Sequence, residues 1–200
     1  MKRPPFALVL AVICALALIT LYEVTRPPVF NGSVINPPKP MPDFTLQSID
    51  GQVRLSDFQN KYIILYFGYT SCPDLCPTTL AGFRKVMTIL PGKQADQIQV
   101  IFVSVDYKRD TAEKVAQYVR NFSNSFIGLS GAHDQIDQVT SDYGISYKLN
   151  DPDPATGFYS VDHSASSFFL DKQHNLLATW PYGITPDRIA SDIMLFMKEK

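Results

Sequence analysis

The sequence predicts an α/β domain, a central mixed sheet flanked by helices, hung behind an N-terminal membrane helix. Three observations predict it. Two continuous apolar runs, residues 62–69 and 100–105, are each followed by a helical pattern, as for parallel strands buried on both faces and joined by crossover helices. An uncharged, mostly apolar run of 17 residues, 6–22, stands behind Lys2 and Arg3. Proline crowds the segment after it, so that eight of the fifteen prolines lie in the first 42 residues.

The apolar run would reach roughly 25 Å as a helix, near the lower limit for spanning a bilayer and longer than a usual signal-peptide core. The one A-x-A pattern, Ala15-Leu16-Ala17, lies inside the run, a poor place for cleavage. An uncleaved signal-anchor over residues 1–22 is therefore favoured over a cleaved signal. The basic pair marks its cytoplasmic end. Cys14 follows Ile13 rather than a small residue, so it reads as a lipid-facing hydrophobe and not as a lipidation site. Residues 23–42, with Arg26-Pro27-Pro28 and Asn36-Pro37-Pro38-Lys39-Pro40-Met41-Pro42, read as an extended stalk.

Residues 43–200 form the domain, long enough for a substantial core. Asp50-Gly51 between short apolar stretches predicts a hairpin. The run at 62–69 is a buried strand, followed by a helix over 78–90 that stops at Pro91-Gly92. The second buried strand, 100–105, leads to Asp110-Thr111-Ala112-Glu113, spaced as a capping box with Asp110 as the cap. The helix it opens carries Val115, Tyr118, Val119 and Phe122 on one face. A third strand at 126–129 and a short helix with Ile136, Val139 and Tyr143 follow. A loop rich in Asp, Pro and Gly covers 151–157. Two strands at 167–170 and 176–180 flank a polar turn, and Thr185-Pro186 opens a last helix with Ile189, Ile193, Phe196 and Met197 inward. That order is thioredoxin-like.

The chain has 200 residues, 46% of them hydrophobic and 18% charged, an ordinary globular composition. Its formal net charge of −1 gives none of the basic excess of a nucleic-acid binder. Without the first 42 residues the balance is 14 basic to 18 acidic groups, a mildly acidic domain. Three cysteines cannot make a disulfide framework.

The informative segment is Gly68-Tyr69-Thr70-Ser71-Cys72-Pro73-Asp74-Leu75-Cys76-Pro77, where a buried strand gives way to a helix. Ligands bind at such strand ends, and a helix N-terminus favours thiolate, the form that attacks disulfides and binds metals. Three residues separate the cysteines, one more than in a thioredoxin motif. The wider loop lets both sulfurs converge on one ion, although a disulfide stays feasible. Two thiolates suit Cu(I), and an added imidazole gives a site that can also hold Cu(II). An inert pair is the competing reading. Of the histidines, His133 sits at a helix start and His174 in the polar turn, where solvated or capping roles are expected. His163, in Ser160-Val161-Asp162-His163-Ser164 before a hydrophobic strand, reads either as a third ligand or as a hydrogen-bonded loop histidine.

Three segments, Thr70-Ser71-Cys72-Pro73-Asp74-Leu75-Cys76-Pro77, Ser104-Val105-Asp106-Tyr107-Lys108-Arg109-Asp110-Thr111 and Val161-Asp162-His163-Ser164, give a resemblance to the Sco (SenC-type) family of membrane-tethered, thioredoxin-fold copper proteins. It covers roughly residues 41–198 and the anchor. Tyr107 and Ala112 stand where family members commonly have proline, and the turn Lys172-Gln173-His174-Asn175 lacks the usual Pro and Gly. The resemblance implies copper ligands at Cys72, Cys76 and His163. Asp74 and Asp162 beside them read either as carboxylates that tune the site electrostatically or, the favoured reading, as loop carboxylates with structural hydrogen bonds. The resemblance also implies copper delivery to the binuclear site of cytochrome c oxidase subunit II, or to a related respiratory oxidase, with other copper chaperones or thiol reductants as further partners. The implied location is the bacterial inner membrane, single-pass, with the N-terminus cytoplasmic and the domain periplasmic. The alternative activity is a thiol–disulfide reductase using Cys72 and Cys76 to keep the oxidase cysteines reduced; a copper sensor is a third class.

Overall fold

The computed structural model describes residues 6–25 and 29–198, without the side chains of residues 6, 7, 23 and 24. Lys2 and Arg3, expected at the cytoplasmic end of the anchor, and Arg26-Pro27-Pro28 lie outside the described residues.

The apolar run is helical as expected, α1 spanning Phe6–Thr25. Among the described residues, however, no helix is long and apolar enough to cross a membrane. The expected transmembrane span is thus not carried by the structure and rests on the sequence alone.

A six-stranded mixed sheet forms the core, in the order β1 (Ser33–Pro40), β10 (Asn175–Trp180), β9 (Ser167–Leu170), β4 (Tyr62–Gly68), β5 (Ile98–Ser104), β6 (Ile127–Leu129). β4, β5 and β6 are parallel, and the other neighbours are antiparallel. Every residue of β4 is buried, which is why its sequence shows no alternation. Helices α2 (Leu75–Ile89), the short α3 (Gly92–Ala95), α4 (Ala112–Arg120), α5 (His133–Asp142) and α6 (Pro186–Lys198) connect or flank the strands. The predicted early hairpin is β2 (Thr45–Ser48) with β3 (Gly51–Arg54). On α6, Ile189, Ile193 and Phe196 are buried as the pattern requires, whereas Met197 is half-buried.

Residues 33–40 do not behave as a stalk. They form β1, an edge strand antiparallel to β10, with Ser33 opposite Thr179 and Lys39 opposite Leu176. Proline is compatible with that place because an edge strand leaves half of its N–H groups without a ladder partner. The register shifts between Val34 and Lys39, across the prolines. Just ahead of β1, the Asp192 carboxylate on α6 accepts from the Asn31 amide (2.9 Å), its side-chain Nδ2 (2.8 Å), the Gly32 amide (2.9 Å) and the Trp180 indole (2.9 Å). Sequence periodicity could not show this clamp, because Asn31 and Gly32 lie 161 and 160 residues from Asp192.

Two further differences have local causes. α2 starts at Leu75 rather than Thr78, since Pro77 sits in the first turn, where a missing N–H breaks no bond. α4 is capped by Thr111, which accepts from the Lys114 amide, and not by Asp110, whose buried carboxylate has other partners.

Candidate metal centre

Chain direction brings the site together. β4 ends at Gly68, and the following turn is closed by the Cys72 amide donating to the Tyr69 carbonyl at 3.3 Å. Cys72 is half-buried on this turn, and Cys76, in the first turn of α2, is fully buried. Gly68 is required for the close approach. A Cβ there would stand 2.7 Å from Cys76 Sγ and 2.8 Å from the Phe102 ring.

His163 arrives on an element the sequence reading missed. β7 (Tyr147–Leu149) pairs with β8 (Val161–His163) as a separate hairpin, with Tyr147 opposite His163. Two three-residue strands separated by a polar loop are too short to show periodicity. The His163 ring stands edge-on to Tyr66 and Tyr69, at centroid distances of 6.3 and 5.9 Å. Its Nδ1 lies 3.0 Å from the Ser164 carbonyl. That oxygen can only accept, so Nδ1 donates to it, and Nε2 is the ring nitrogen turned toward the cysteines. Nε2 lies 3.7 Å from Cys76 Sγ.

The two thiols are unequal. Both are free. The Cys72 thiol is lowered to about 5, first by the hydrogen bond from the Cys76 thiol, then against a burial penalty by the amides of Cys76 and Asp74 and the nearby His163. The Cys76 amide donates to Cys72 Sγ at 3.4 Å. Cys76 is pushed far up by the same thiol–thiol hydrogen bond and by burial. Tyr66, also raised by burial and by Cys76, stays protonated and donates to Cys76 Sγ at 3.7 Å. Of the two, Cys72 is thus the thiolate at neutral pH and Cys76 the thiol, and Cys72 lies beside a cavity of about 310 Å³ that His163 and Asp162 also line.

Two buried carboxylates, absent from the expected site residues, tie the surrounding loops down. Asp110 accepts from the Thr70 amide (2.7 Å), the Thr70 hydroxyl (2.6 Å), the Ser104 hydroxyl (2.6 Å) and Lys114 Nζ (3.0 Å). It fixes the start of the cysteine turn to the end of β5. Asp106 accepts from Arg109 Nε (2.5 Å) and from the Tyr159 hydroxyl (2.8 Å). The Arg109 guanidinium lies over the Tyr159 ring, 3.4 Å from its centroid. This pins the approach to β8, and with it His163. The acidic residues of the second motif carried the signal, but local spacing made Asp110 look like a helix cap.

Of the remaining candidates, Asp74 and Asp162 line the rim of the same cavity, whereas His133 and His174 are not among its lining residues. Asp74 accepts from the Thr78 hydroxyl at 3.2 Å on the surface, and Asp162 is exposed. His133 is exposed, 3.2 Å from Asp137, and stacked on Tyr107 at 4.1 Å. His174 is half-buried rather than solvated, its Nε2 3.4 Å from the Phe58 carbonyl. Among the described residues, no group of three or more His, Cys, Asp or Glu side chains is preset to hold a metal ion. Cys76 and His163 do converge, with Cys72 beside them, and the donor set of two sulfurs and one imidazole suits copper.

A match to the family described as SCO1/SenC covers residues 34–198. The chain belongs to the SCO1/SenC family. This member is 38% identical over 130 residues to the SCO2-like protein RP587 of Rickettsia prowazekii, a match covering 64% of this chain and 63% of that protein. It thus spans a little under two thirds of that relative's length. The solution structure of apo Sco1 from Thermus thermophilus is 37% identical and superposes with a TM-score of 0.77, over 84% of this chain and 97% of that one. The copper-bound structure of Bradyrhizobium japonicum ScoI is 31% identical, with a TM-score of 0.70 over 78% of this chain and 99% of that one. The fold expectation, a mixed α/β sheet flanked by helices, agrees with both. The Tyr107 ring stacks on that of His133.

Proposed function

We propose that this SCO1/SenC member is a membrane-tethered protein of the bacterial inner membrane, its domain periplasmic, that binds copper and delivers it to the binuclear copper site of cytochrome c oxidase during assembly. Cys72, Cys76 and His163 hold the ion. The observation that carries this reading is the 3.7 Å approach of His163 Nε2 to Cys76 Sγ beside the Cys72 thiolate. Copper is cargo here. Cys72 supplies a thiolate at once, Cys76 gives up its proton as the ion enters, and His163 offers Nε2. Release follows by exchange onto the client's own thiolates, beginning at half-exposed Cys72. Copper bound in the 31% identical B. japonicum relative supports the choice of ion. The apolar run at 6–22 supports the tether, and family membership supports the oxidase client.

Copper titration of the reduced full chain, with His163→Ala beside it, tests the reading. One ion per wild-type chain and a clear loss of affinity in the variant are expected; absence of stoichiometric binding by reduced wild type would sink it. The low Cys72 value favours a second reading, reduction of client disulfides. Cys72 thiolate would attack a client disulfide sulfur, releasing one client thiolate and leaving a mixed disulfide. Cys76, losing its proton, would then attack Cys72 sulfur, releasing the second client thiol and oxidising the Cys72–Cys76 pair. Client maturation that survives intact in His163→Ala, despite lost copper binding, selects this reading.

A further inference from the structure

We infer that the end of the sheet bearing Cys72, Cys76 and His163 faces and rests on the bilayer surface, with Val29, Tyr182 and Phe158 as its contact points. The inference rests on the tether proposed above and adds an orientation to it.

Strand register places the tether and the metal site at the same end. Ser33 on β1 is level with Thr179, Thr179 with Phe168, and Phe168 with Leu65 on β4. Asn31 and Gly32, clamped by Asp192, therefore lie level with the carboxyl end of β4, from which the cysteine turn departs. Three strand spacings, roughly 14 Å, separate the two across the sheet.

The length of the lead decides the orientation. Residues 23–42 as a free stalk would extend about 60 Å and leave the domain free to turn. With β1 in the sheet and Asn31 clamped, only five residues, 26–30, lie between Thr25, the end of α1, and Asn31. The six Cα-to-Cα steps from Thr25 to Asn31 reach about 20 Å at most. To present the opposite end to the membrane, the lead would have to pass along a domain roughly 40 Å deep. It cannot.

The apolar surface agrees. Outside α1, the exposed large hydrophobic residues among those described are Val29 (71% exposed), Val34 (40%), Phe158 (49%) and Tyr182 (44%). Val29 adjoins the clamp, and Val34 is the second residue of β1. Tyr182 follows the end of β10. Phe158 precedes Tyr159, whose hydroxyl reaches Asp106 beyond the end of β5. A tyrosine with an apolar ring and polar tip suits the headgroup level. The opposite end, with Asn60 and Gln173 at its turns, is polar.

The test is paramagnetic broadening of backbone amides in the full chain held in lipid nanodiscs carrying gadolinium-chelate headgroups. Amides of Val29, Tyr182, Phe158 and Cys72 should broaden several-fold more than those of Asn60 and Gln173. The contrast should fall in Tyr182→Ser/Phe158→Ser, neither residue being in the copper site. Equal broadening at both ends, or stronger broadening at Asn60 and Gln173, in protein that does enter the discs would overturn the orientation while leaving the tether intact. Chain that does not enter the discs removes the tether and the orientation together. Two chains per disc joined through Tyr182 and Phe158 would assign this rim to a second copy and also overturn the inference.

Discussion

Cys72 and Cys76 differ by a single proton, and their positions create the difference. Cys72 receives the thiol and amide of Cys76, whereas buried Cys76 sits among apolar side chains and the Tyr66 hydroxyl. Cys72 lowered to about 5 gains its interactions as thiolate, so those interactions are present at neutral pH and vanish as pH falls through that value. In reduced metal-free protein, the iodoacetamide reaction at Cys72, followed by mass spectrometry, should rise with a midpoint near pH 5 and plateau before neutrality; Cys76 should stay unmodified at neutral pH. A midpoint near the ordinary thiol value would contradict the hydrogen-bonded pair. Gly68→Ala is expected to force Cys76 and Phe102 apart, costing roughly 1–3 kcal/mol by overpacking. Denaturant unfolding measures that cost, and copper titration should show weaker binding in the same variant.

At the scale of elements, the site depends on how the β7–β8 hairpin is held over the cysteine turn. Arg109 and Tyr159 converge on fully buried Asp106. Arg109→Ala leaves that carboxylate without its cation, with an expected loss of roughly 3–5 kcal/mol in denaturant unfolding. Tyr159→Phe keeps the ring under Arg109 and removes one hydrogen bond. It should cost about 1 kcal/mol yet lower copper affinity by roughly 10-fold or more, as for residues that orient a ligand. Equal copper affinity in Tyr159→Phe and wild type would separate this lock from the metal site. The buried strands β4 and β5, the α4 and α6 faces and the early hairpin were legible because their signals are local: continuous apolar runs, helical spacing, a turn dipeptide. Cys72 and Cys76 were legible for the same reason, by their place between strand and helix. His163 stayed ambiguous, since its approach depends on a hairpin too short for a pattern. Asp106 and Asp110 were hidden because hydrogen bonding to Tyr159 and Thr70 is set by tertiary packing.

For the whole molecule, Asp192 joins three parts of the chain: the lead before β1, the end of β10, and α6. Asp192→Ala leaves buried Trp180 and two backbone amides without their acceptor. It should destabilise the fold by roughly 2–4 kcal/mol and raise hydrogen exchange first at Asn31, Gly32 and along β1. Exchange unchanged there, with loss elsewhere, would mean that β1 is held by its pairing with β10 alone.

The two margins of the six-stranded sheet bear on a hazard common to such folds. An open margin is a template on which another chain can add a strand and start an aggregate. One margin here is β1, whose prolines remove donors and interrupt its register. The other, β6, has only three residues, and α4 packs so closely over its Gly128 that an added Cβ would meet Val115 at 2.8 Å. Neither margin invites strand addition, so the prolines that resemble a spacer also keep concentrated copies of this chain from joining edge to edge.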